Sequence, residues 1–102
     1  MTLEDLIAEV TGWHYSHFGT ANIDLALAKK LVEEASEFRV SRTPEEAADV
    51  LIVLCAWAGR HNVDLLEAAR IKLEIVKGRD QIARDKERGI LPQDFQKEID
   101  NG

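Results

Sequence analysis

The chain is poor in residues that cross-link a fold or interrupt a helix. It has one cysteine, two prolines and six glycines among its 102 residues. A single cysteine excludes an intramolecular disulfide and is typical of a reducing compartment, so we expect a cytoplasmic protein. Cys55 stands inside an apolar run, which favours a small buried hydrophobe. With so few prolines and little alternation of apolar and polar residues, the helical period dominates the sequence.

Long hydrophobic runs and an excess of basic residues are also missing. The apolar run at residues 50–58 is far shorter than the roughly 20 residues that a membrane span requires. The first residues are acidic and amphipathic and do not resemble a signal peptide. The net charge of −6 argues against duplex DNA or an anionic membrane as partner.

The sequence instead predicts an all-α chain with a single domain over residues 1–102, a core over about 2–88 and a C-terminal tail over 89–102. Capping signals predict helix starts after Thr2, Thr43 and Asp64, and a further helix is expected after Gly19-Thr20 up to about Val40. The fourth helix is expected to reach about Arg88. The third is apolar almost all round, which predicts burial at the centre of a bundle or at a subunit interface. We therefore expect a four-helix-bundle-type subunit that forms a dimer or tetramer.

Four carboxylates carry the strongest chemical signal, in the pairs Glu34-x-x-Glu37 and Glu46-x-x-Asp49. Residues three apart on a helix share a face, so each pair presents its oxygens together. Such oxygens suit Mg²⁺, with Mn²⁺ as a substitute, better than zinc. Asp49 stands within an apolar helix, where burial of an unpaired charge would be costly. The competing interpretation is a solvated ion-pair network with Lys29, Lys30 and Arg39, in which Glu46 serves only a capping box.

Aromatic and histidine residues near the end of the first helix are weaker candidates for binding. Trp13 and Phe18 can stack on a nucleobase, although packing in a core or an interface is the more frequent role. His14 and His17 are three residues apart, but no third nitrogen or sulfur ligand lies near them, which disfavours zinc. Contact with a ligand is their alternative role.

The residues Glu33-Glu34-Ala-Ser-Glu37, followed by Glu46-Ala-Ala-Asp49, resemble the signature of the MazG-like all-α nucleoside triphosphate pyrophosphohydrolases. The resemblance covers about residues 10–85, including Trp13 and Phe18-Gly19 ahead of the first motif. The spacer of eight residues between Glu37 and Glu46 is similar to a branch associated with purine deoxynucleotides. Val76 stands where the family commonly has Asn, so Lys77 or Arg84 could replace that contact.

The resemblance implies Mg²⁺-dependent hydrolysis of a nucleoside triphosphate to a monophosphate and pyrophosphate. It implies that Glu34, Glu37, Glu46 and Asp49 are the metal ligands. Glu33 would be the catalytic base or would orient the attacking water, its alternative being an ion pair with Lys29 or Lys30. The expected substrate-binding residues are Trp13, Phe18, Lys30, Lys72 and Arg79. Two other functions stay open: a phosphoribosyl-ATP pyrophosphohydrolase of histidine biosynthesis, and a non-catalytic oligomerisation or regulatory module.

Overall fold

The computed structural model describes residues 1–78 and Glu87, and it is all-α. The predicted Arg79 and Arg84 contacts, the end of the fourth helix and the C-terminal tail lie outside the described residues. The helices are α1 (Leu3–Phe18), α2 (Asp24–Ser41), α3 (Pro44–Arg60) and α4 (Leu65–Lys77). None of the helices in the described part of the chain combines the length and apolar character needed to cross a membrane.

Local capping explains where α1 and α3 begin. Thr2 Oγ1 accepts a hydrogen bond from the backbone N–H of Asp5, and the Asp5 carboxylate accepts one from the N–H of Thr2. At α3, Thr43 Oγ1 accepts from the N–H of Glu46 at 3.2 Å, with Pro44 in the first turn. These bonds satisfy donors that the first turn of a helix leaves unpaired, and both predicted starts are confirmed.

The chain divides into two compact units, one spanning Met1–Leu66 and one beginning at Glu67. In the first unit α3 packs against both α1 and α2. Its core is built from buried residues on all three helices: Val10, Leu27, Val53, Cys55 and Ala56. Cys55 is fully buried and unbonded, as predicted. The part of α4 in the second unit exposes three large apolar side chains: Ile71, Leu73 and Ile75.

In one copy α3 is not buried on most sides, which does not fit the predicted position at the centre of a bundle; the other predicted position, a subunit interface, stays a prediction. Leu51 and Trp57 are each about two-fifths exposed, at 39% and 40%, because only one side of α3 faces the other helices of its unit. Asp49 is also exposed, so the prediction that it is buried is wrong for the single chain. The apolar sequence of α3 fits its position between α1 and α2. Within one copy, however, part of its apolar surface stays exposed to solvent.

Candidate metal centre

The two acidic pairs converge between α2 and α3. One carboxylate oxygen from each of Glu34, Glu37, Glu46 and Asp49 can be chosen such that all lie within 4.8 Å of one another. Each pair shares one helical face, as its spacing predicts, and the packing of α2 on α3 brings the two faces together. We call these four residues the carboxylate cluster. The convergence was predicted from the sequence, and it is what a hard divalent cation requires.

Glu34 is the buried member of the cluster, with a relative exposure of 6%. Glu46 is half-buried, whereas Glu37 and Asp49 are exposed. Oε2 of Glu34 and Oε2 of Glu46 are both shielded from solvent, and no residue in the described part of the chain donates a hydrogen bond to either. A buried charged oxygen without a donor is costly, and a cation between the two helices would compensate both.

The alternative role of Glu46 in a capping box is only half realised. Thr43 binds the backbone of Glu46, but the Glu46 side chain returns no hydrogen bond to Thr43 among the described residues. Its carboxylate is directed to the cluster instead. The cap therefore accounts for the start of α3 and leaves the Glu46 carboxylate unexplained, which supports a ligand role.

Lys30 provides the cluster with one counter-charge. Its Nζ lies 3.0 Å from Glu34 Oε1 and 3.7 Å from Glu33 Oε2. The hydrogen bond from Lys30 lowers the pKa of Glu34. A hydrogen bond between the carboxyl groups of Glu34 and Glu37, together with the negative charge of Glu34, raises the pKa of Glu37. One ammonium group thus leaves the four carboxylates of the cluster short of positive charge.

A cleft of about 380 Å³ borders the cluster. His14, Lys30, Glu34 and Asp49 form its polar lining, and Trp13 and Phe18 contribute aromatic rings. The remaining lining is mostly aliphatic, from Ile23, Ala26, Leu27, Ile52, Val53 and Ala56. Its volume lies within the range of about 300–1,000 Å³ that is typical of small-molecule sites. We call this cavity the aromatic cleft.

The structure gathers most of the predicted site residues around the aromatic cleft. Trp13 and Phe18 are more than half exposed, at 52% and 53%, so the alternative that they are core anchors is wrong for the single chain. Glu33 stays outside the carboxylate cluster and forms the exposed ion pair with Lys30 that was its alternative role. Lys72 lies on the exposed surface of α4, in the second unit.

Two features of the cleft were not predicted from the sequence. His14 is buried on its wall, and Arg60 Nε donates a hydrogen bond to His14 Nδ1 at 3.0 Å. The residues are 46 positions apart, so no local spacing signals the contact. Burial, followed by the positive charge of Arg60, lowers the pKa of His14.

No protein-family model, curated protein or solved structure matches this chain. The MazG-like resemblance therefore stays a prediction from the two acidic motifs.

Proposed function

We propose that this protein is a divalent-metal-dependent nucleoside triphosphate pyrophosphohydrolase, which converts a triphosphate to a monophosphate and pyrophosphate. The observation that carries the proposal is that Glu34 and Asp49 belong both to the carboxylate cluster and to the lining of the aromatic cleft. A nucleotide has the matching composition, a flat base that suits aromatic and aliphatic walls and an anionic triphosphate that needs cations. The resemblance of the two acidic motifs supports the same activity.

The four carboxylates of the cluster fit Mg²⁺ or Mn²⁺ because they offer only oxygen ligands, two of which lack any donor among the described residues. When bound, Mg²⁺ supplies the positive charge that lets a triphosphate approach these carboxylates, and it makes a bound water more acidic. The residues proposed to hold it are Glu34, Glu37, Glu46 and Asp49.

The remaining residues are proposed to bind substrate and to direct water. Lys30 lines the cleft beside Glu34 and can neutralise phosphate charge. Glu33, close to Lys30, would orient or deprotonate the attacking water. The water oxygen bonds to the α-phosphorus, the bond from that phosphorus to the bridging oxygen breaks, and pyrophosphate leaves with the electron pair. Lys72 and Arg79 stay proposed phosphate contacts.

Pyrophosphate release from a panel of nucleoside triphosphates and phosphoribosyl-ATP, with and without Mg²⁺, tests the reaction, the cofactor and the substrate class. The matched variants are Glu46→Gln, inside the cluster, and Glu45→Gln, an exposed neighbour outside it. We expect Glu46→Gln to reduce turnover by about 100-fold or more, as loss of a preorganised electrostatic contact does, and Glu45→Gln to retain it. No release by the parent from any substrate, or equal turnover in both variants, would refute the proposal.

We further propose that the protein acts as a cytoplasmic homodimer or homotetramer assembled through α3. The support is the apolar surface that one copy leaves exposed on this helix at Leu51 and Trp57. Sedimentation velocity of the parent and of Leu51→Lys tests the assembly. A parent that sediments as a monomer at all concentrations used for activity would contradict it.

A further inference from the structure

Arg60, the last residue of α3, uses its whole guanidinium group within the protein. Nε donates to His14 Nδ1 at 3.0 Å, while the two terminal nitrogens donate to the carbonyl oxygens of Gly19, at 3.0 Å, and Ala21, at 3.2 Å. The guanidinium also lies over the Tyr15 ring, with Cζ 4.5 Å from its centroid. These contacts fix Arg60 in place, because a planar fork held at three points has little rotational freedom.

The bond from Arg60 determines where His14 carries its proton. A guanidinium Nε can only donate, so His14 Nδ1 must accept and the neutral ring carries its hydrogen on Nε2. Protonation of Nδ1 would place two N–H groups against each other. The His14 side chain is 7% exposed and borders the aromatic cleft, with its ring centroid 4.6 Å from that of Phe18. No other hydrogen bond of the His14 ring is present among the described residues, so Nε2–H remains available as a donor at the cleft wall.

The surroundings of His14 make this donor selective. Apart from His14, most of the cleft lining is aliphatic or aromatic. The other polar lining residues are Lys30, Glu34 and Asp49, which belong to the carboxylate cluster or contact it. In an apolar environment, a ligand that leaves this donor without an acceptor loses binding free energy. That loss is larger than the free energy that the hydrogen bond contributes when an acceptor is present. A ligand that presents a second donor to Nε2–H would be disfavoured further.

We propose that Arg60 is a positioning residue that locks His14 as the Nε2–H tautomer, and that His14 thereby selects a nucleobase with a hydrogen-bond acceptor at this wall of the aromatic cleft. The assignment rests on the proposed function, because it takes the cleft to hold the base. Unprotonated ring nitrogens and carbonyl oxygens of nucleobases are such acceptors. His14 and Arg60 then determine specificity without contributing to the hydrolytic step.

The tautomer itself is tested without any nucleotide. Nitrogen-15 NMR of histidine-labelled protein distinguishes a protonated from an unprotonated ring nitrogen, and His14→Phe identifies the His14 signals by their loss. At neutral pH we expect protonated Nε2 and unprotonated Nδ1 in the parent, and a mixture of tautomers in Arg60→Met. A parent that carries the proton on Nδ1 would overturn the lock.

Base recognition is tested with the α,β-imido analogues of dATP and dGTP, whose bond to the β-phosphate resists hydrolysis. They are compared with forms in which one acceptor nitrogen of the purine is replaced by C–H. We expect one replacement to weaken binding to the parent about 3- to 10-fold, the effect of one neutral hydrogen bond. His14→Phe should remove this discrimination. His14→Gln, whose amide nitrogen can take the place of Nε2, should restore part of it.

The matched control is His17→Phe, because His17 lies on the same helix outside the cleft lining. It should keep the discrimination of the parent. Arg60→Met should lower the discrimination, whereas the affinity for the C–H form should change less. If Arg60→Met does not fold, the His14 variants still test whether His14 selects the base. Nucleotide binding with equal affinity for every analogue overturns base selection by His14 and leaves the proposed hydrolysis standing. No binding and no pyrophosphate release refute both, whereas the NMR result still decides the tautomer.

Discussion

Lys30 Nζ lies 3.0 Å from Glu34 Oε1, while the second oxygen of the same buried carboxylate has no donor among the described residues. Lys30 therefore compensates only part of the charge that the packing of α2 on α3 concentrates at the carboxylate cluster. Because Lys30 also lines the aromatic cleft, it belongs to both parts of the proposed site. Under the proposed function, metal affinity and nucleotide affinity would therefore both depend on the Lys30 side chain.

A divalent cation should stabilise the folded protein, because the carboxylate cluster exists only when α2 and α3 are packed. At a concentration about 100 times the dissociation constant, we expect Mg²⁺ or Mn²⁺ to raise the free energy of unfolding by about 2.7 kcal/mol. Thermal unfolding measures the effect, with a potassium salt of equal ionic strength as the control for screening. Glu46→Gln should lose most of the stabilisation and Glu45→Gln should keep it; equal responses of the two would exclude the cluster as the site.

Lys30→Met should bind Mn²⁺ more tightly than the parent, by about 2- to 5-fold, because the ammonium that competes with the cation for Glu34 is gone. The methionine keeps the length of the side chain and its contact with the cleft. The same variant should bind a nucleoside triphosphate more weakly, since a positive charge facing the phosphates is lost. Calorimetric titration measures both affinities, and Lys29→Met, on the exposed neighbour, provides the control. Weaker Mn²⁺ binding by Lys30→Met would show that Lys30 orients Glu34 rather than competing for it.

The helix starts and the carboxylate cluster were predictable from the sequence because their determinants are local. Thr2 and Thr43 cap helices through residues three positions ahead, and the spacing within each acidic pair fixes a shared face. The two acidic pairs lie on consecutive helices, which only Arg42 and Thr43 connect. Because this connection is short, α2 and α3 pack side by side and bring the two pairs together. These properties need no knowledge of distant contacts.

Burial and long-range contacts were not predictable in the same way. The apolar sequence around Asp49 indicated burial, but Asp49 is exposed and the buried carboxylate is Glu34. Which side of a helix is covered depends on the packing angles of the neighbouring helices, which composition does not encode. The contact of Arg60 with His14 joins α3 to α1 over 46 positions of the chain, so no local spacing in the sequence could indicate it.

Gly59→Ala should destabilise the protein by about 1–3 kcal/mol, as overpacking a tight contact does. A Cβ on Gly59 would lie 2.8 Å from Thr11 Cβ and overlap Thr11 Oγ1, which is held by a hydrogen bond to the Ile7 carbonyl. Gly12→Ala is the matched control, because nothing lies within 4 Å of its added Cβ. An alanine there should stabilise α1 by about 0.5–1 kcal/mol. Urea unfolding compares the two, and similar effects would show that α1 and α3 do not approach closely at Gly59.

Trp13 should report nucleotide binding through its fluorescence. The chain has two tryptophans, and Trp57 packs on His61, with ring centroids 5.2 Å apart, outside the lining of the aromatic cleft. Trp57→Phe therefore leaves Trp13 as the single emitter. We expect the α,β-imido analogue of dATP to quench its emission saturably, because a base stacked on an indole ring changes its environment. Quenching that occurs only with Trp57 present would place the nucleotide elsewhere.

His14 should make the stability of the fold depend on pH. Burial and the Arg60 charge lower the pKa of His14 in the folded state, so the unfolded chain takes up this proton first as the pH falls. The contribution of His14 to stability is therefore complete above about pH 6.5, its ordinary pKa, and is lost as the pH falls toward the pKa of the folded state. Urea unfolding across this range should show a smaller loss of stability for His14→Phe than for the parent.

The slope of stability with pH is compared rather than the absolute stability, because the phenylalanine also leaves Arg60 Nε without its acceptor. His17→Phe keeps His14 in place and removes only the smallest of the three causes of its lowered pKa, the charge of His17, so it should retain most of the slope of the parent. A His14→Phe slope equal to that of the parent would show that His14 titrates alike in the folded and unfolded states.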